Sequence, residues 1–158
     1  MTTKTIEKTA TGTVRVQRVF KAPPERIYKA LVDPAAASKW FPPHGFTCTV
    51  HQMDSTVGGP YRMTFTNFST GKDQSFEGMF VELRPGERVR MTDRFDDPNL
   101  PGEIQTTYAL RKVSVGTEVT VVQENIPAGI PADGCHLAWQ ECLDQLAKLV
   151  EPEIPDQP

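Results

Sequence analysis

Residues 134–151 read GCHLAWQECLDQLAKLVE, and the reading of this run decides what the rest of the chain must be. At about 100° per residue, Cys135, Trp139, Cys142, Leu143, Leu146 and Val150 fall on one continuous stripe, with Glu141, Asp144, Gln145 and Lys148 opposite. The pattern predicts a helix of roughly sixteen residues whose apolar face needs a surface to lie on. The CHLAWQEC segment also invites a reading as reactive thiol or metal site, and helix geometry argues against both. Cys135 sits near a helix N-terminus, where the dipole lowers a thiol pKa. Its neighbour His136 points about 100° away, however, which makes it a poor base for that thiol. Seven residues of rise separate Cys135 from Cys142 by about 10 Å, beyond disulfide reach. His136 lies at the stripe's flank, about 60° from Trp139.

The surface for this helix comes from the middle of the chain. TVRVQRVF (13–20) alternates, with Val14, Val16 and Phe20 on one face and Arg15 and Gln17 on the other, as a strand does. PPERIYKALV (23–32) then shows helical spacing, with Ile27, Tyr28 and Leu31 together and proline in the first turn, where its missing N–H has no partner to lose. Asp33 is placed to cap a second short helix, AAASKWF, which Pro42 and Pro43 end. From Gly45 to Ile126 the period stays close to two, predicting strands near 46–52, 60–68, 74–84, 87–95, 103–113 and 117–126. The connections VGGP, STGKD, RPGE, DDPNLPG and SVG are short and rich in turn formers, which implies an antiparallel meander. The expected architecture is α+β: a seven-stranded antiparallel sheet, two short helices after its first strand, and one long helix covering a sheet face.

Composition narrows the function. A net charge of −3 without a basic stripe argues against nucleic-acid binding, and no apolar run reaches the length of a membrane span. MTTKTIEKTATG at the start is polar and lacks a secretory pattern, so a cytoplasmic location is expected. Cys48, Cys135 and Cys142 are an odd set without CxxC spacing, as suits reduced thiols. His44, His51 and His136 show no metal-ligand spacing, and Gly58 and Gly59 lead into no helix, so they form no phosphate loop. Neither a metal nor a cofactor is expected. Residues 13–151 read as one domain between a flexible start (1–12) and a frayed tail (152–158).

The strand faces carry the functional signal. Tyr61, Met63 and Phe65 alternate on one strand; Val89, Met91, Asp93 and Phe95 on another; then Ile104, Thr106, Tyr108 and Leu110; then Val119, Val121 and Gln123. These sets are apolar except for Asp93, Thr106 and Gln123. A mostly apolar lining with a few convergent polar groups points to a ligand cavity rather than a solid core. Asp93 is the sharpest member: facing inward, it is either a ligand-orienting acid or a proton-transfer group, and one residue of register error turns it to solvent.

The stretches VFKAPPERIYKALVDPAAASKWFPPHGF, VGGPYRMTF, FEGMFVELRPGERVRMTDRF and AWQECLDQLAKLVE follow one another in an order and spacing that resembles homologues of the activator of heat-shock protein 90 ATPase, within the START/SRPBCC helix-grip superfamily. The resemblance spans residues from about 13 to 151, nearly the whole chain. Trp40-Phe41 meets the family's WW or WF segment, and Ala138-Trp139 stands where the family has Gly-Trp. It implies a curved sheet gripping the C-terminal helix over a hydrophobic cavity. Function is left open, since such folds host lipid and polyketide binders, cyclase-like enzymes and co-chaperone domains.

The leading expectation is therefore a binder of a small hydrophobic or amphipathic molecule. Trp40, Phe41, Phe46, Tyr61, Met63, Phe65, Phe95, Tyr108, Val121, Cys135, Trp139 and Leu143 line the apolar volume in this reading, and Asp93, Thr106, Gln123 and His136 orient polar atoms. Trp40, Phe41 and Phe46 flank the Pro-Pro-His-Gly loop, as a gate over the ligand or a plug tying helix to sheet. One rival is a cyclase- or hydrolase-like enzyme with Asp93 or His136 as acid/base. Another is a chaperone-ATPase activator in stress response, the weaker rival because a full co-chaperone carries an additional domain. An open edge strand is compatible with a homodimer.

Overall fold

The computed structural model describes residues 11–156. Its elements run β1 (Gly12–Phe20), α1 (Pro24–Val32), α2 (Pro34–Trp40), β2 (Phe46–Met53), β3 (Pro60–Asn67), β4 (Asp73–Arg84), β5 (Arg88–Phe95), β6 (Ile104–Val113), β7 (Gly116–Ile126) and α3 (Ala132–Val150). The strands form one seven-stranded sheet ordered β1-β7-β6-β5-β4-β3-β2, antiparallel at every pairing. This is the α+β arrangement that the periodicities imply. The expected flexible start falls chiefly on residues 1–10, outside the described residues, while Gly12 already pairs with Ile126. Residues 152–156 carry no regular structure; Arg26 donates to Val150 O at the end of α3 at 2.9 Å and to Glu153 in the tail at 3.1 Å.

Alternation along each strand becomes an inside and an outside. Val14, Val16 and Phe20 are buried from β1, Tyr61 and Met63 from β3, Phe76 and Phe80 from β4, and Val119 and Val121 from β7. From α3 the buried stripe is Trp139, Cys142, Leu143, Leu146, Ala147 and Val150. Burying each large apolar side chain stabilises the fold by about 1.5–3 kcal/mol, which makes this stripe the principal attachment of α3.

Curvature comes from irregularities in the ladders. Register shifts lie between Gly12 and Val14, between Val50 and Gln52, and between Phe80 and Glu82. An extra residue on one strand bends it and raises the local twist. Gly78, two residues before the β4 shift, allows a close approach. A Cβ there would lie 1.7 Å from the Thr92 carbonyl oxygen. The Tyr61 ring lies beside this glycine, and its hydroxyl donates to Thr92 O at 2.7 Å. An aromatic side chain thus covers the gap left by a residue without one.

Asp33 begins α2 as its position predicts, its side chain accepting from the Ala36 N–H at 3.0 Å. Asp33→Ala is expected to lower stability by about 1 kcal/mol, read as a shift in urea midpoint. An unchanged midpoint would mean that water satisfies the freed N–H equally well.

Candidate functional site: a cavity under the N-terminal half of α3

The inner surface does not close uniformly. The C-terminal half of α3 packs into solid core, whereas its N-terminal half stands over a cavity of about 310 Å³. Seven elements and two loops supply the walls. α3 gives Cys135, Ala138, Trp139 and Cys142; β3 and β4 give Phe65 and Phe76; β5 and β6 give Asp93, Phe95 and Ile104. Phe41 comes from the end of α2 and Gln123 and Ile126 from β7, with Leu100 and Ile130 from the β5–β6 and β7–α3 loops. Pro43, Phe46, Gln74 and Gly134 complete the rim.

The apolar wall is largely aromatic. Phe65 and Phe76 meet edge to face at 4.9 Å between centroids, and Phe41 contacts both, at 5.6 and 6.1 Å. Phe95 adds to Phe76 at 6.1 Å, and Trp139 to Phe41 at 6.0 Å. Such contacts each contribute about 0.5–1.5 kcal/mol beyond area burial, so the rings hold one another in place around the empty volume.

One polar cluster interrupts this wall. Thr106 Oγ1 donates to Asp93 at 3.0 Å, and Gln123 Nε2 stands 3.5 Å from the same hydroxyl. The Gln123 carbonyl oxygen accepts from Trp139 Nε1 at 2.9 Å and from Cys135 Sγ at 3.1 Å. Helix and sheet are thereby joined by polar bonds at the cavity wall. Asp93 is 9% exposed, and among the described residues no cation forms a salt bridge with it. Burial pushes its carboxyl up to about 7, and the Thr106 hydrogen bond opposes that rise only in part.

The thiols belong to the wall rather than to chemistry. Burial raises Cys135 above its ordinary value, and burial with the nearby Glu141 charge pushes Cys142 up to about 12. The helix dipole at Cys135 is overridden, so neither sulfur is a nucleophilic thiolate near neutral pH. All three cysteines are free. Among the described residues no group of His, Cys, Asp and Glu is placed to hold a metal ion, and no helix is long and apolar enough to cross a membrane.

Half of the residues expected at the site line the cavity: Phe41, Phe46, Phe65, Asp93, Phe95, Gln123, Cys135 and Trp139. Trp40, Tyr61, Met63, Tyr108, Val121 and Leu143 instead fill the solid core, and Thr106 sits behind Asp93 as its donor. His136 needs correction. It is exposed, in a separate groove with Arg15, Gln17 and Arg18, on the β1 side of α3 and away from the cavity. A helical wheel gives its angle from Trp139 but not the flank on which the cavity lies.

The expected gate divides into two parts. Trp40 is 2% exposed and donates to Ala30 O at 2.8 Å, so it ties α2 to α1. Phe41 turns into the cavity and Phe46 stands at its rim. α3 holds the intervening loop, with Gln145 donating to Trp40 O at 2.9 Å and Cys142 to Phe41 O at 2.9 Å. Sequence reasoning passed over Phe76, Leu100, Ile104, Ile126, Ile130 and Cys142 as site residues. For Leu100 and Ile130 a signal existed: each is a large apolar side chain isolated in a proline-rich loop.

Known proteins share this fold. The profile of the family described as Activator of Hsp90 ATPase homolog 1-like protein matches residues 21–151. A crystal structure from Chromobacterium violaceum is 52% identical, covering 89% of this chain and 98% of that one, with a TM-score of 0.88. A Rhodobacter sphaeroides protein is 22% identical over 89% of this chain and 92% of that one, with a TM-score of 0.78. DynU16, from the dynemicin biosynthetic locus, is 22% identical with a TM-score of 0.65, over 86% of this chain and 46% of its own. At such identity the latter two share the fold alone. No curated protein matches the chain.

Proposed function

The chain belongs to the Activator of Hsp90 ATPase homolog 1-like family, and within it we propose a protein that binds a small amphipathic molecule between sheet and helix. The observation that carries this reading is the cavity of about 310 Å³, walled by aromatic rings and holding the Asp93–Thr106–Gln123 cluster on one side. A solid core has no use for an unpaired carboxyl, whereas a ligand with one polar end and an apolar body supplies the missing partner.

The enzyme reading uses the same carboxyl. Its value of about 7 suits an acid/base group, and this observation favours keeping it as the second reading. It has lost one of its two residues, however, because His136 faces away from the cavity. Binding needs no second catalytic group and is the stronger reading.

Filling the cavity tests it. Ala138 lines the volume from α3, and a larger side chain there enters the space a ligand would use. Ala138→Phe is expected to weaken binding of the neutral apolar dye Nile red at least tenfold while Tm holds or rises. Equal dye binding by both proteins would place the dye elsewhere and remove the support for this cavity.

A further inference from the structure

The charge pattern of the cavity specifies the head group of its ligand. Among the described residues Asp93 is the only acidic one on the wall, and no Lys, Arg or His lines it. A fatty acid or other anion would bring a second negative charge into a low-dielectric space without a counterion, and both desolvation and repulsion oppose that. A neutral acceptor such as a ketone meets only the uncharged amides of Gln74 and Gln123, because the Trp139 N–H and the Cys135 thiol are already directed to Gln123. The group lacking a partner is an acceptor: Asp93 receives only the Thr106 hydroxyl among the described residues. Phe41, Phe65, Phe76, Phe95 and Trp139 line the same cavity, and aromatic faces that share a space with a carboxylate form a setting that stabilises cations. A volume of about 310 Å³ lies at the small end of ligand pockets and suits a body of one or two rings better than a long acyl chain.

Resting on the cavity-binding reading above, we propose that the ligand is a small amphiphilic amine, bound as the ammonium against Asp93 with its apolar body among the phenylalanines. Binding then requires the ionised carboxylate. The titratable groups facing Asp93 are Tyr108 on β6 and Cys135 and Cys142 on α3, each raised above its ordinary value by burial and so neutral near pH 7. From β4 and β7 come Phe76 and Gln123, which do not titrate. Asp93 alone therefore sets the pH dependence below pH 8.

The test uses one aromatic body with three heads: naphthylethylamine, naphthylethanol and naphthylacetate, each displacing Nile red from the full chain. At pH 8 the amine is expected to bind at least tenfold tighter than the alcohol, and the acetate to displace no dye. Below a pH of about 7 the amine's affinity falls by about tenfold per unit as Asp93 takes a proton, while the alcohol's changes little. In Asp93→Asn the amine's advantage over the alcohol disappears and Nile red still binds. Acetate binding as tight as the amine's, or an amine no better than the alcohol at pH 8, overturns the inference and leaves the cavity reading standing. Failure of Nile red and all three probes to bind overturns both.

Discussion

Trp139→Ala is expected to lower the stability of the protein by about 3–5 kcal/mol, read as a shift in urea midpoint at constant slope. Trp139 is 5% exposed and lies where the solid core meets the cavity. Its ring contacts Tyr108 at 5.8 Å and Phe41 at 6.0 Å, so removal unsupports both the sheet side and the rim side of the wall. The space left adjoins the existing cavity, and the surroundings have little with which to refill it. Polar loss adds to this, because the Gln123 carbonyl keeps only the weak Cys135 donor. Trp139→Phe separates the two contributions: it retains most of the ring and loses the N–H, so its expected cost is about 1–3 kcal/mol. Near-UV circular dichroism should show the tryptophan signal fall in both variants. A Trp139→Ala cost below about 1 kcal/mol would mean that the helix is not gripped at this point.

The same tryptophan marks how far the sequence could be read. Its stripe on α3, the period-two strands and the Gly/Pro-rich turns are all local patterns, and they yield the meander from β2 to β7; the crossover that pairs β1 with β7 is long-range and leaves no local mark. Strand limits at VGGP and RPGE follow because proline and positive-φ glycine end a ladder where they stand: Gly58 lies at φ +83° and Gly86 at φ +74°. Which part of the inner face is filled and which is hollow depends on how the sheet bends, and the shifts at Val50/Gln52 and Phe80/Glu82 leave no mark in the hydrophobic period. Tyr61 and Phe65 belong to the same alternating set, yet Tyr61 is core beside Gly78 and Phe65 lines the cavity. Phe76 escaped attention because Gly78 breaks the alternation of FEGMF. Asp93, Thr106 and Gln123 were legible for a different reason. Polar residues at inward positions of three strands stand out wherever the space is drawn, and β6 pairing brings them side by side: Thr106 lies opposite Met91 and Gln123.

Asp93→Asn is expected to stabilise the protein at pH 8, in contrast to most substitutions of buried residues. In the unfolded chain the carboxyl titrates near its ordinary value of about 4. In the folded protein it titrates at about 7. Below pH 4 both states hold the proton and the group has no effect. Between the two values only the folded state holds it, so stability falls as pH rises. Above 7 both states are ionised and the whole cost is present, about 4 kcal/mol for a shift of about three units. Asparagine keeps the acceptor for Thr106 and cannot ionise, so the variant should gain up to about 4 kcal/mol at pH 8, less about 1 kcal/mol for an imperfect amide fit. At pH 5 most of that gain should be gone. Asp96 works in the opposite direction, because the Arg62 hydrogen bond holds its carboxyl below the ordinary value, but this exposed pair is screened and makes a small contribution. Urea midpoints of both proteins at pH 5, 6, 7 and 8 decide the matter; parallel curves would show that Asp93 is ionised without penalty and that a solvated or paired carboxylate stands there. Divergent curves would make Asp93 a residue that opposes folding at neutral pH, and packing cannot account for such a residue. Its place on the cavity wall is then explained only by what enters the cavity, since a bound cation returns to the carboxylate the stabilisation that the empty fold withholds.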